Sequence, residues 1–349
     1  MSGAPRLAHQ LMRINHNPLF LLPFIRTMKT YRCDPRKYSR RDMLAFGAAF
    51  AASPLVGGAI AQTAAAPVLT RAIPRTGEKL PVIALGTAII FDIGGDAEKR
   101  AERTKVIHTL LDGGARMIDT APSYGTAESV VGDLLADMKV RDKVFLATKV
   151  RTNNTETFVA QMQESQKRLR SPKFELMQMH NVGFQDRALF ASQLAIMREW
   201  KAQGTFKYIG VTHSQDQPRA NERLIEMLRT EKLDFIQVNY SMAERSVEER
   251  LLAVAAETGT AVLCNLPFAR AALFRAVQGK TVPDWAKAEF DAPTWGQFFL
   301  KYLLAHEAIN GVLPGTDRVD YMIDNLNAAR TRLPNAAQRK RMVAFIESL

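Results

Sequence analysis

Eight short apolar runs recur along this chain, and after each one the apolar period changes from that of a strand to that of a helix. The runs fall at 82–85, 117–119, 144–149, 174–180, 208–212, 235–240, 261–264 and 311–315. Helical patterns follow at 97–111, 126–137, 155–169, 187–202, 219–230, 247–257, 295–307 and 318–329, with a final amphipathic stretch at 334–349. Gly113-Gly114 and Gly259 stop two of these helices, and Thr126 stands where an N-cap would. Strands that are apolar almost throughout have both faces covered, which is the signature of a parallel sheet sheathed by helices.

Eight such units within one body predict a closed (β/α)8 TIM barrel. A Rossmann sheet is disfavoured, since no Gly-x-Gly-x-x-Gly follows the first run. Ahead of that run, 68–82 reads as an N-terminal β-hairpin with Arg75-Thr76-Gly77-Glu78 as its turn. The segment 268–292 has no clear period and is expected to be irregular.

The formal net charge of +12 raises the question of an acidic partner. Its distribution answers it. Residues 1–61 hold nine Lys and Arg against Asp34 and Asp42, and the remaining charges are interspersed along the chain. That is a solvated surface, so no nucleic-acid partner is expected. Cys33 and Cys264 are the two cysteines, and no Cys/His spacing suggests zinc or another metal.

Two domains are expected: an extension over 1–61 and a barrel over 62–349. In the extension, Arg40-Arg41 precede a mildly apolar, Ala/Gly-rich stretch ending in Ala59-Ile60-Ala61. This resembles a twin-arginine export signal, which implies the export machinery as a partner and a periplasmic destination. The alternatives are a membrane anchor formed by the same stretch, or a cytoplasmic protein. Met28 would serve as a start giving an ordinary basic n-region.

In a barrel, chemistry gathers at the C-terminal ends of the strands. Asp119, Lys149 and His180 end the second, third and fourth runs, and Tyr124 follows Asp119 in a short turn. An acid, a phenol, an amine and an imidazole on adjacent strands suit reduction of a carbonyl. The carbonyl oxygen gains negative charge as hydride arrives, so a proton donor must be at hand. Tyr124 is the donor expected, Lys149 the ammonium that stabilises its phenolate, and Asp119 the carboxylate that holds Lys149. His180 would donate to the carbonyl oxygen. Two alternatives stay open: a Schiff-base lyase or aldolase using Lys149, and a cofactor-binding sensor barrel with negligible turnover. His108 and His306, on helices, read as structural.

With Asp119-Thr120-Ala121-x-x-Tyr124-Gly125 followed by Lys149 and His180, the chain resembles the aldo-keto reductases over roughly 68–330. The resemblance implies a small-molecule carbonyl substrate and an NADP(H) cofactor bound without a Rossmann domain. It implies Gly86 and Thr87 as backbone near the cofactor, and Asp119, Thr212, His213, Gln237 and Asn265 around the nicotinamide. Leu266 to Phe268 would form the loop over the pyrophosphate. Gly315, Thr316, Arg318, Asp324 and Asn325 would hold the adenosine end. Thr212-His213 replaces the family's Ser-Asn pair, and Asn265 replaces a stacking tyrosine. Gly315 and Tyr321 stand where a lysine and an arginine often grip the ribose phosphate. Arg318 is then the nearby cation, and NADP(H) is favoured over NAD(H). Substrate specificity is expected from the loops after strands one, four and seven.

Overall fold

A computed structural model describes residues 66–214 and 218–349. The export signal expected within 1–61 lies outside the described residues. The first elements are β1 (Thr70–Ala72) and β2 (Lys79–Pro81), an antiparallel pair whose turn closes through Gly77 at φ +73°. Next come β3 (Ala84–Gly86), α1 (Ala97–Asp112), β4 (Met117–Asp119), α2 (Ala127–Asp137), β5 (Phe145–Val150) and α3 (Thr155–Arg168). They are followed by β6 (Phe174–Met179), α4 (Arg187–Ala202), β7 (Phe206–His213), α5 (Pro218–Glu231), β8 (Phe235–Asn239) and α6 (Leu251–Glu257). The chain ends with β9 (Ala261–Asn265), α7 (Ala272–Ala276), α8 (Asp284–Phe290), α9 (Trp295–Leu304), β10 (Ile309–Val312), α10 (Val319–Asn327) and α11 (Ala336–Glu347).

β3 to β10 form one parallel sheet in sequence order. Parallel bridges from Ile83 to Val312 and from Gly86 to Gly315 join its two edges, so the sheet is a closed barrel with no free edge. Side chains alternate along each strand. The inward set is Ala84, Met117, Phe145, Ala147, Leu176, Tyr208, Phe235, Ala261, Leu263 and Leu313, packed as a core of its own. The other set packs outward under the helices.

The hairpin plugs the lower end, where Ile73 and Leu80 join that inward core. Phe145 stacks on Tyr208 with ring centres 5.9 Å apart, and Phe235 meets Tyr208 edge-on. Glu78 of the hairpin accepts from the Tyr208 hydroxyl at 2.6 Å and pairs with Arg116 and Lys207. Burial alone would raise the Glu78 carboxyl, but these partners pull it down to about 2.

Three expectations are corrected. The segment 268–292 holds two helices, α7 and α8, short enough to leave no period; Trp285 and Phe290 of α8 pack on Phe298. The eighth strand stops at Val312, leaving Gly315 in the loop beyond it. Thr126 makes no side-chain cap to α2. Its hydroxyl donates instead to Asp92 at 2.8 Å and accepts from the Gly94 N–H at 2.9 Å, tying the loop after β3 to the turn that carries Tyr124.

Candidate active site

Above the aromatic layer the barrel interior turns polar towards its C-terminal end, with Asp119, Lys149, Gln178 and Gln237 all buried. Asp119 follows Met117 on the inner side of β4, and Lys149 follows Ala147 on the inner side of β5. The ladder pairs Asp119 with Ala147, and Lys149 with Gln178. Both charges are removed from water, with Asp119 4% and Lys149 1% exposed. Such a pair persists only if its remaining donors and acceptors are satisfied. Lys149 Nζ donates to Asp119 Oδ2 at 2.5 Å and to the Thr120 carbonyl at 2.8 Å. Asp119 Oδ1 accepts from Gln237 Nε2 at 3.0 Å and from Gln178 Nε2 at 3.3 Å. Burial opposes the Lys149 charge, but the nearby Asp119 and Tyr124 outweigh it and hold the ammonium above the usual lysine range.

Tyr124 lies over this pair, its ring centre 4.9 Å from Lys149 Nζ. The backbone places it there: Gly125, at φ +59°, takes a left-handed turn that any side chain would obstruct, because a Cβ would overlap the Asp92 carboxyl. The Asp92 carboxylate accepts from both the N–H and the hydroxyl of Thr126. His180 meets Tyr124 edge-on, with ring centres 6.1 Å apart. Burial first, then the Lys149 and Arg151 charges, push the His180 imidazolium down to about 3, so the ring is neutral. The four residues singled out in the sequence thus converge.

Gln178 is a member of this cluster that the sequence reading passed over. Its position two residues before His180 on β6 was the available signal, since alternate residues share a face. Gln237, expected at the nicotinamide, donates to Asp119. Thr212 Oγ1 accepts from the Asn181 N–H at 3.1 Å, and His213 Nδ1 accepts from the Gly183 N–H at 3.3 Å. Both residues therefore hold the segment after His180. Because Nδ1 is an acceptor, the proton is assigned to His213 Nε2, which is buried without a partner.

Gln178 Oε1, Asn239 Oδ1 and Asn265 Oδ1 are also buried without partners, and the ladder pairs Asn239 with Asn265. Asn239 and Asn265 each donate to Ser214, at 3.1 Å, which leaves their oxygens free. Buried groups of this kind are rare and mark where a ligand would complete the bonding. The two N–H donors of a planar carboxamide fit the acceptors at Asn239 and Asn265 on the inner face. His213, expected at the nicotinamide, instead alternates to the outer face of β7 and packs on Gly183 and Phe184.

At the seam of the barrel, Thr87 Oγ1 donates to the Asp119 carbonyl at 2.9 Å, and Gly86 lies beside Gly315. Leu266 has φ +51°, and Phe268 packs against Phe274 at 4.8 Å. Thr316 Oγ1 accepts from the Arg318 N–H at 3.2 Å. Arg318 reaches Asp320 with two nitrogens, at 3.0 and 2.7 Å, and lies over the Tyr321 ring. Asp324 is taken up by Thr294 at 2.8 Å and Gln297 at 2.8 Å, pinning α10 to the start of α9. Asn325, buried on α10, makes no side-chain hydrogen bond among the described residues.

Known proteins resemble this chain in sequence and in fold. Aldo-keto reductase YhdN of Bacillus subtilis is 32% identical over 195 residues, covering 52% of this chain and 56% of that protein. The NADH-specific methylglyoxal reductase of Escherichia coli is 25% identical over 216 residues, covering 54% of this chain and 64% of that protein. The chain thus spans somewhat over half the length of these two relatives. An aldo/keto reductase of Klebsiella pneumoniae, solved in complex with NADP and acetate, superposes with a TM-score of 0.65 at 24% identity, covering 76% of this chain and 93% of that one. The model of the Aldo/keto reductase family matches residues 82–345, from the first barrel strand into the last helix, and with three quarters of its length so matched the chain belongs to that family.

Proposed function

We propose that this protein reduces an aldehyde or ketone to an alcohol with NAD(P)H, with Tyr124 as proton donor. The observation that carries the reading is the buried Asp119–Lys149 pair lying directly under the Tyr124 ring. The reduced nicotinamide supplies hydride when bound. Tyr124 gives its proton to the substrate oxygen as charge develops there. Lys149 stands beside the phenolate that remains, and Asp119 keeps Lys149 charged and in place. His180, neutral, donates an N–H to the same oxygen and fixes the carbonyl's orientation. Asn239 and Asn265 would hold the nicotinamide carboxamide.

Imine chemistry at Lys149 fits less well. A Schiff-base lysine must lose its proton to attack a carbonyl, and here Asp119 and Tyr124 drive the amine the other way. NADPH is the cofactor favoured over NADH, with Arg318 the cation beside the loop after β10. Its pairing with Asp320 limits what it adds, so the preference is expected to be modest.

The test is direct. NADPH titrated into the purified protein should change its fluorescence at micromolar concentrations, and a reactive aldehyde should then be reduced with oxidation of one NADPH per alcohol formed. Borohydride trapping of substrate on Lys149 without nucleotide binding would replace the reading by a lyase. Tight NADPH binding with no turnover across a carbonyl panel would replace it by a sensor.

A further inference from the structure

The four groups above account for the carbonyl oxygen and say nothing of what else the substrate carries. Beside His180 lies a cavity of about 720 Å³, walled by Pro122 and Ser123 of the turn after β4, by Arg151 after β5, and by Gln161, Glu164 and Arg168 of α3. The ladder explains why Arg151 belongs to it. Val150 pairs with Met179, and the His180 N–H donates to the Val150 carbonyl at 2.8 Å. Arg151 and His180 therefore stand opposite each other one step beyond the ladder, on strands roughly 5 Å apart. They follow Lys149 and Gln178 by two residues each, so alternation puts them on the same side as those groups, one layer higher.

The charges around the cavity are unequally committed. Arg168 pairs with Glu164 at 3.2 Å and lies 3.8 Å from the buried Glu128. Lys167 lies 3.7 Å from Glu164 as well, so that carboxylate is already neutralised. Arg151 pairs with no carboxylate among the described residues; only its backbone N–H is engaged, by Gln161 Oε1 at 2.7 Å. An exposed arginine is ordinarily no more than a solvated side chain. This one lines a cavity that opens beside the imidazole proposed to bind the carbonyl, and its charge is felt at both His180 and His213.

We infer that the cavity receives a carboxylate carried by the substrate a few bonds from its carbonyl, with Arg151 as the recognising cation. The substrate class is then an oxo acid in preference to a neutral aldehyde. This rests on the reductase reading and adds to it. A guanidinium presents two parallel N–H groups that match a carboxylate, which an ammonium cannot reproduce. Because the anion lies away from the reacting carbon, its contact is made equally in ground and transition states and should appear in KM more than in kcat.

The experiment compares 3- and 4-carboxybenzaldehyde with benzaldehyde in the wild type, Arg151→Met and Arg151→Lys. The wild type should favour the better acid at least about tenfold in kcat/KM, equivalent to ~1.4 kcal/mol. Arg151→Met should lose that preference through KM, and Arg151→Lys should regain part of it. A wild-type preference below about twofold, or one that survives in Arg151→Met, overturns the inference. Equilibrium binding of benzoate to the NADP-loaded protein reads the same site without turnover, and should be about tenfold weaker in Arg151→Met. Equal affinities overturn the inference. Arg151-dependent benzoate binding in a protein that reduces no aldehyde would uphold the anion site and end the reductase reading alone.

Discussion

Lys149 and Asp119 show how a buried ion pair can be retained inside a barrel. Taking both charges out of water costs several kcal/mol per ion, and the loss is offset because Asp119 takes a bond from Lys149 and one each from Gln178 and Gln237. His180 is the opposite case, a base kept neutral by its surroundings. Its folded value of about 3 lies well below the roughly 6.5 of an unfolded chain. Between those values the unfolded chain binds a proton that the native state refuses, so stability rises with pH across that window and is lost on acidification. From about pH 7 to about pH 4 the melting temperature should therefore fall less steeply for His180→Asn than for the wild type. Parallel slopes would show that the ring is not held neutral. Asp119, Tyr124, Lys149 and His180 were legible in the sequence because each ends, or closely follows, an apolar run. Gln178 and Asn239 were not, because polar residues inside such runs read as interruptions until alternation assigns them a face. The pairing of Arg318 with Asp320, two residues apart, was within reach of the sequence.

Among the elements, the turn after β4 is the one on which the site depends most. Its backbone is fixed from the loop after β3, through Asp92 and Thr126, 34 residues apart in sequence. No local pattern reveals that contact, and so Thr126 read as a helix cap. Gly125→Ala would force a Cβ into the Asp92 carboxyl at a backbone angle that favours glycine. Displacement of Tyr124 by about 1 Å would lower kcat/KM by about 100-fold, with the far-UV circular dichroism unchanged. Full activity in that variant would remove the clamp from the account. Helix periods marked the larger helices well, because amphipathic stretches of three or more turns carry their own signal. The helices α7 and α8, five and seven residues long, do not. Their existence follows from packing: Phe274 of α7 and Trp285 of α8 each reach α9, at Phe299 and Phe298.

At the scale of the molecule, one barrel separates two tasks. Its lower end is closed by the hairpin, with Glu78 gathering Tyr208, Arg116 and Lys207. Its upper end keeps the polar groups, several of them unpartnered. The eightfold alternation made this architecture readable, since strands covered on both faces and joined by helices leave few other closed solutions. What the alternation did not carry was how side chains from distant loops share one pocket, which is why Arg151 emerged only from the ladder between β5 and β6. The central claim is that Tyr124, resting on the Asp119–Lys149 pair, delivers the proton. It is tested most directly by single-turnover reduction of an aldehyde by NADPH-loaded protein carrying Tyr124→Phe, with the NADPH dissociation constant measured alongside. The rate should fall by about 10²–10⁴-fold, with a dissociation constant within about twofold of wild type. Wild-type rates in Tyr124→Phe would contradict it.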